Sequence, residues 1–327
     1  MGSASAPNNI VLYNYDFSPF GKRISSYLAL RGIEYALCDQ PFTMPRPDLA
    51  LLPVAYRRIP ILAVGRDVYL DTRLILRKLE TLFPSGTLGA TNPQDLFIEK
   101  LLERYMVEGP AFGAAAGLVP PDLAQEPTFN KDRQGFIFKN WSKEELDDAR
   151  GDCLNYARNL FAFFEETILQ DGREWILGHE GPRLADIEAV WTFEFLSDMQ
   201  LPPEIISEKH FPRAFAWLAR YRTAREKATA SAPKPTKLDG QAAAHHILRS
   251  EYAESGGSVD ETDPLGLTEG LEVELYPSDW GCEHKDRGRL VALTPNEVTI
   301  AVQSKEGGEI RIHAPRTGFK VKEVGRQ

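Results

Sequence analysis

The chain has 327 residues, of which 43% are hydrophobic and 26% charged, more than one ordinary core holds and typical of soluble domains. A net charge of −9 excludes general nucleic-acid binding, since nothing offsets phosphate repulsion, but leaves room for a small anionic ligand at a local site. No apolar run of about 18 residues is present to span a membrane.

Cys38, Cys153 and Cys282 stand far apart, with no CxxC or metal-ligand spacing. The segment Met1 to Asn9 is small and polar and lacks the apolar core of a secretory leader. The expectation is a soluble, cytoplasmic protein without a metal, in a reducing compartment.

Residues 9–84 alternate strand and helix signals. Asn9–Tyr15 is a short β-prone run, followed by Phe20, Ile24, Tyr27 and Leu28 at helical spacing. Glu34–Cys38 reads as a second strand. Ile59–Val64 and Val68–Leu70 flank a turn at Gly65-Arg66-Asp67, and Leu74, Ile75, Leu79 and Leu82 predict a helix ending before Pro84. The opening strand–helix–strand implies a parallel pair joined by a right-handed crossover.

Residues 92–232 are helical in pattern. Leu96, Leu101, Leu102, Tyr105 and Met106 open this region, and Ser142 with Glu145 forms a capping box ahead of a long amphipathic run. A further helix begins near Ala185-Asp186 and another spans Phe211–Tyr221. Pro120–Asn140, rich in Pro, Gly and charge, reads as an excursion between helices.

Ser231–Pro235 is a linker by composition. Residues 236–327 then predict one helix over Gln241–Tyr252 and five short alternating strands. Their spacing is that of a small β-barrel-like extension, counted as a third domain. Within it His313, Pro315 and Arg316 form an anion or partner site, or His313 is an alternate strand residue in a cover over apolar surface. Asp279 and Trp280 read as turn and packing residues, and His245-His246 face different ways on a helix.

Three short segments could carry chemistry. Ser18, before Pro19 at a first helical position, is either a plain helix cap or a hydroxyl beside free N–H groups that favour an anion. Pro60, second in a strand, must lie at an edge or mark a special turn, where a cis bond would turn the Ile59 backbone toward a peptide-like ligand. Asp71-Thr72 at the next helix start either cap it or hold an amino-acid head group.

In this order, on a β-α-β-β-β-α pattern, the segments resemble the glutathione-binding half of the glutathione transferases. Ser18-Pro19-Phe20 with Arg23 looks like the Cys-Pro-Phe-x-x-Arg segment of omega-type members, with serine in place of cysteine. Ile59-Pro60 is similar to the family's cis-proline step, Asp71-Thr72 to its acidic-hydroxyl pair, and Arg58 to a basic residue that reaches the glycyl carboxylate. Leu184-Ala185-Asp186-Ile187 resembles the family's Ser/Thr-x-x-Asp cap, although Arg183 stands where the hydroxyl residue is expected. The motifs together with the β-rich tail resemble a fungal glutathione-transferase-like group with an extra C-terminal domain.

The resemblance implies a thioredoxin-like α/β domain, an all-α domain, a barrel-like extension and a homodimer. It implies glutathione as cofactor, held by Ser18, Phe20, Arg58, Ile59, Pro60, Asp71 and Thr72. Ser18 would be the catalytic hydroxyl, favouring a thiolate that attacks a hydrophobic electrophile or assists an isomerisation. Tyr13 and Tyr15 are competing hydroxyls near the strand's end. Tyr15, Tyr105, Met106 and Phe112 line an electrophile pocket between the domains, or are plain packing residues. The alternative is a non-catalytic binding or scaffold protein on the same fold.

Overall fold

The structure, a computed structural model, describes residues 6–305 and 307–325. It divides into two compact units: residues 1–24, 33–84 and 233–327 form one, and 25–32 with 85–232 form the other.

The first unit is built on one ten-stranded sheet in the order β5-β2-β1-β3-β4-β9-β8-β7-β6-β10. The chain here follows the expected plan: β1 (Ile10–Asn14), α1 (Pro19–Arg31, counted with the second unit from Ser25 on), β2 (Ala36–Asp39), β3 (Ile61–Val64), β4 (Asp67–Leu70) and α2 (Thr72–Leu82). β1 and β2 are parallel, and β3 and β4 form an antiparallel hairpin. All five residues of β1 are buried, as expected of an inner strand covered on both faces. The cost of ordering it is offset by apolar burial at Val11 and Tyr13 on one face and Ile10 and Leu12 on the other.

The remaining strands come from the C-terminal segment. β5 (Thr236–Lys237) joins β2, α10 (Gly240–Arg249) comes next, and then β6 (Glu272–Pro277), β7 (Asp286–Leu293), β8 (Glu297–Gln303), β9 (Glu309–Pro315) and β10 (Phe319–Glu323). Only residues 316–318 join β9 to β10, yet these strands stand four places apart in the sheet order. Four strand spacings are about 19 Å, whereas such a link spans at most about 14 Å. The last five strands must therefore curl, helped by the irregularity between Leu290 and Ala292 in the β7–β8 ladder. The barrel-like extension is present in that sense.

The extension is joined to the first domain by a parallel β4–β9 pair, Val68 opposite Ile312 and Tyr69 opposite His313. One hydrophobic core runs through both, from Val11, Ile61 and Val68 to Leu275, Ile300 and Ile312. Residues 236–327, expected as a third domain, thus fall within the first compact unit. Alternation in the sequence marks strands but does not name their partners, which is why this join was not readable.

The second unit holds α3 (Pro93–Glu103), α4 (Ala111–Ala116), α5 (Pro121–Ala124), α6 (Pro127–Arg133), α7 (Lys143–Glu166), α8 (Leu184–Ser197) and α9 (Pro212–Ser231). The Pro120–Asn140 excursion contains the two short helices α5 and α6. In α8 twelve residues, including Ile187, Val190, Trp191 and Phe193, are buried, the pattern of a central helix enclosed on all sides.

At its start Arg183 stands where the hydroxyl residue is expected and makes no side-chain cap hydrogen bond. Asp186 accepts from the N–H groups of Ile176 at 3.0 Å and Arg183 at 2.9 Å, and from Trp217 Nε1 at 2.8 Å. The Asp186 N–H donates to the Arg183 carbonyl at 3.0 Å, so the missing hydroxyl is replaced by backbone. Among the described residues no helix is long and apolar enough to cross a membrane.

Candidate functional site at one end of the sheet

The topology brings the three sequence segments to one place. β1 runs out at Asn14, and Tyr13 pairs with Ile61, the first residue of β3. Ile61 also pairs with Leu70, the last residue of β4. The chain leaving β1 (15–18), the chain entering β3 (59–60) and the chain leaving β4 (71–72) therefore emerge at the same end of the sheet. The Ile59–Pro60 bond is cis, as is Met44–Pro45. Ile59 lies beyond the last β1–β3 ladder pair, so its backbone groups stand outside that ladder.

Ser18 caps α1: its Oγ accepts from the Gly21 N–H at 3.0 Å, and its carbonyl accepts from Lys22 at 2.8 Å. The residue is only 2% exposed. Its hydroxyl proton remains a donor beside the positive end of a 13-residue helix. Phe20 lies in the same first turn, half-buried. Tyr13 drops out as a competing hydroxyl, because it is fully buried in the core and burial pushes its pKa well up.

Asp71 and Thr72 cap α2 but have partners within the chain. Asp71 sits at φ 69°, a region that disfavours a residue with a Cβ. Its carboxylate accepts from the Arg73 N–H at 2.9 Å and from Arg73 Nε and Nη2 at 3.0 and 2.8 Å. Burial would raise the Asp71 pKa, but the Arg73 charge and these hydrogen bonds hold it below the usual carboxylate value. Arg73 Nη2 also donates to the Thr317 carbonyl at 3.1 Å. Thr72 Oγ1 accepts from Arg23 Nη1, which makes Arg23, the last residue of the Ser18 motif, a tie between the two helix starts.

Arg58 is held by the loop after β6. Its guanidinium pairs with Asp279 and donates to the Trp280 carbonyl, Nε at 3.2 Å. Arg57 lies over the Trp280 ring at 3.8 Å and faces Glu283 at 3.8 Å. Gly281, at φ 87°, allows this approach: a Cβ there would come within 3.0 Å of Arg57 Cγ. Asp286, fully enclosed, accepts from the Ala55 N–H at 2.5 Å, and burial pushes its pKa up to about 7. Asp279 and Trp280, read from sequence as turn and packing, thus grip the chain leading into Ile59-Pro60. Arg73 was within reach of a sequence reading, since acceptor and donor at i and i+2 around a helix start are local. Asp279, Trp280 and Asp286 were not.

The proposed lining residues divide between the units. Tyr15, half-buried, is in an aromatic cluster with Phe17 and Phe42, ring centroids 4.6 to 5.3 Å apart, and Phe17 is 58% exposed. In the second unit Tyr105 and Met106 lie in a π-helical turn, Arg104–Glu108, a form that often marks functional sites. Met106 is fully buried, while the Tyr105 ring lies tilted against Phe163, centroids 5.8 Å apart. Phe112 packs with Phe136, Trp191 and Phe195. Cys38 gives no alternative nucleophile, because burial, aided by Asp48, pushes its thiol up to about 12.

Comparison with known proteins agrees with this architecture. Residues 12–89 match the family model of the glutathione S-transferase N-terminal domain, and residues 114–230 match a domain of unknown function (DUF7962). Glutathione S-transferase U1 of Arabidopsis thaliana is 18% identical over 135 residues, 41% of this chain and 60% of that protein. The chain thus spans less than two thirds of that relative. A GST-like protein from Pseudomonas syringae has the same fold with TM-score 0.70 and 22% identity, covering 97% of this chain and 99% of that one. The fold match therefore runs through the C-terminal extension, and in a bacterial protein. The glutathione transferase URE2P8 of Phanerochaete chrysosporium, solved with oxidized glutathione, matches with TM-score 0.51 and 16% identity over 69% of this chain and 95% of that one.

Proposed function

We propose that this chain, whose first domain belongs to the glutathione transferase superfamily, binds glutathione across that sheet end and uses its thiolate on a hydrophobic electrophile. The carrying observation is the convergence of Ser18, Ile59-Pro60 and Asp71-Thr72 at the ends of three neighbouring strands. An extended tripeptide pairs its cysteinyl unit with the Ile59 backbone, outside the ladder. Its γ-glutamyl head meets Asp71 and Thr72, and its glycyl carboxylate lies toward Arg58. Phe20 borders the peptide beside Pro60.

The thiol then faces Ser18, whose free hydroxyl proton and helix N-terminus favour thiolate over thiol. Thiolate attack forms a carbon–sulfur bond and expels a leaving group, or adds to a conjugated system and assists its isomerisation. Serine forms no mixed disulfide, so thiol-transfer chemistry is disfavoured. Tyr15 beside Ser18 offers an aromatic surface to the electrophile, and Tyr105, Met106 and Phe112 keep a proposed apolar role on the helical unit. Homodimer formation and a cytoplasmic setting accompany this reading as family expectations.

A second reading has its own support. Asp71 is engaged by Arg73 and Arg58 by Asp279, as suits a superfamily member that binds a partner without turnover. Calorimetry with glutathione on the native protein and on Asp71→Ala, each first checked for cooperative unfolding, decides the binding step. Saturable binding weakened tenfold or more in the variant is the expected result. Binding in both, with no Ser18-dependent conjugation of any electrophile tested, favours the second reading.

A further inference from the structure

The loop between β6 and β7 approaches the lead-in to Ile59-Pro60 at several points, and its chemistry is that of a ligand. Asp279 presents a carboxylate to the Arg58 guanidinium. The Trp280 carbonyl accepts from the same guanidinium, and the Trp280 ring covers Arg57. Asp286, at the far end of the loop, holds the Ala55 N–H. The Arg58 guanidinium thus already holds a carboxylate and a peptide carbonyl, the two kinds of acceptor that the glycyl end of glutathione would offer it. Asp279 is 61% exposed and Arg58 26%, so the contact lies near the surface and can open.

We infer that residues 278–283 are a built-in counter-ligand: the Asp279 carboxylate holds the Arg58 position that the terminal carboxylate of a bound thiol peptide requires. The inference rests on the glutathione-binding reading above and adds a regulation of the same site. Ligands with and without the terminal glycine are then bound almost equally by the resting protein, because Arg58 is taken. Opening of the loop, by a partner or by substitution, makes the terminal carboxylate count. Exposed ion pairs of this kind contribute modestly, so the expected gain is about three- to tenfold in affinity.

The test compares glutathione with γ-glutamylcysteine, which lacks the glycyl carboxylate, by calorimetry on the native protein, Asp279→Asn and the double variant Asp279→Asn with Arg58→Gln. The expected result is a ratio of dissociation constants near one for the native protein. In Asp279→Asn that ratio rises about three- to tenfold in favour of glutathione, and it returns toward one in the double variant. A native preference for glutathione that Asp279→Asn leaves unchanged overturns the counter-ligand while leaving glutathione binding intact. A gain shared equally by both peptides also overturns it, because the loop would then act by crowding. Absence of binding by either peptide to all three proteins removes the glutathione reading itself, and the inference with it.

Discussion

Asp71 holds a backbone conformation with φ 69°, which costs on the order of 1 kcal/mol or more for a residue with a side chain, and Arg73 offsets that cost with hydrogen bonds from its backbone and guanidinium. Both side chains are nearly enclosed, 12% and 7% exposed, so solvent screens the pair little. Arg73→Ala is expected to lower stability at neutral pH by about 2 kcal/mol, read from denaturant midpoints. The Asp71 pKa is depressed in the folded protein. Its contribution is therefore present above the unfolded value, roughly pH 4, and disappears as pH falls through the folded one. The native and variant midpoints should converge in acid; a gap that persists undiminished would mean the loss is packing. Ser18, Asp71 and Thr72 were legible because a helix start is a local event. Asp186 was legible as a cap, but its third donor, Trp217 Nε1, lies 31 residues further on and left no local trace.

At the scale of elements, the parallel seam between β4 and β9 carries a buried polar cluster. His313, 4% exposed, contacts Asp67 through Nε2 at 2.9 Å and Glu297 through Nδ1 at 2.7 Å. Lys78 Nζ lies 2.7 Å from Glu254 and 2.9 Å from Glu297, Tyr69 donates to Glu254 at 2.6 Å, and Arg311 stands 4.0 Å from Asp67. Three carboxylates thus face Lys78, Arg311 and His313, and charges match only when the imidazole is protonated. Glu254, Glu297 and His313 would suit a metal ion by donor type, but the Lys78 ammonium already bridges the two glutamates.

Burial works against the His313 charge, yet the hydrogen bonds and charges of Asp67 and Glu297 prevail and raise its pKa. Its stabilisation is therefore complete below the unfolded value near 6.5 and is lost as pH rises through the folded one. Urea midpoints measured from pH 5.5 to 9 should fall on the alkaline side in the native protein and stay nearly level there in His313→Gln. Equal slopes would place the titrating group elsewhere. The strand was legible from period-two alternation; its neighbour across the seam was not, since an alternating run fits any sheet edge of matching polarity.

Over the whole molecule, the linker at Ser231–Pro235 was legible from composition, and a compact unit does end at Ala232. The chain beyond the linker returns to the first unit: the shared core includes Ile247, Leu275, Ile300, Ile312 and Val321 beside Val11 and Ile61. A chain ended at residue 232 would bare that apolar face and the β4 edge. It is expected to collect in the insoluble fraction, or to lose the cooperative unfolding of its first unit while the helical unit keeps its own. A soluble truncated protein with an unchanged first transition would show that the extension is an accessory.

Asp67 and His313, which meet across the seam, are 246 residues apart. During synthesis at about 5–20 residues per second, that separation is roughly 12 to 50 s. For that interval the emerging first domain has an unpaired strand edge and half a core, while the helical segment behind it is already complete enough to fold. The strands that complete this sheet are therefore made long after the ones they pair with. A holding chaperone that shields β4 would matter more to the yield of this chain than to that of a relative whose first domain closes on itself.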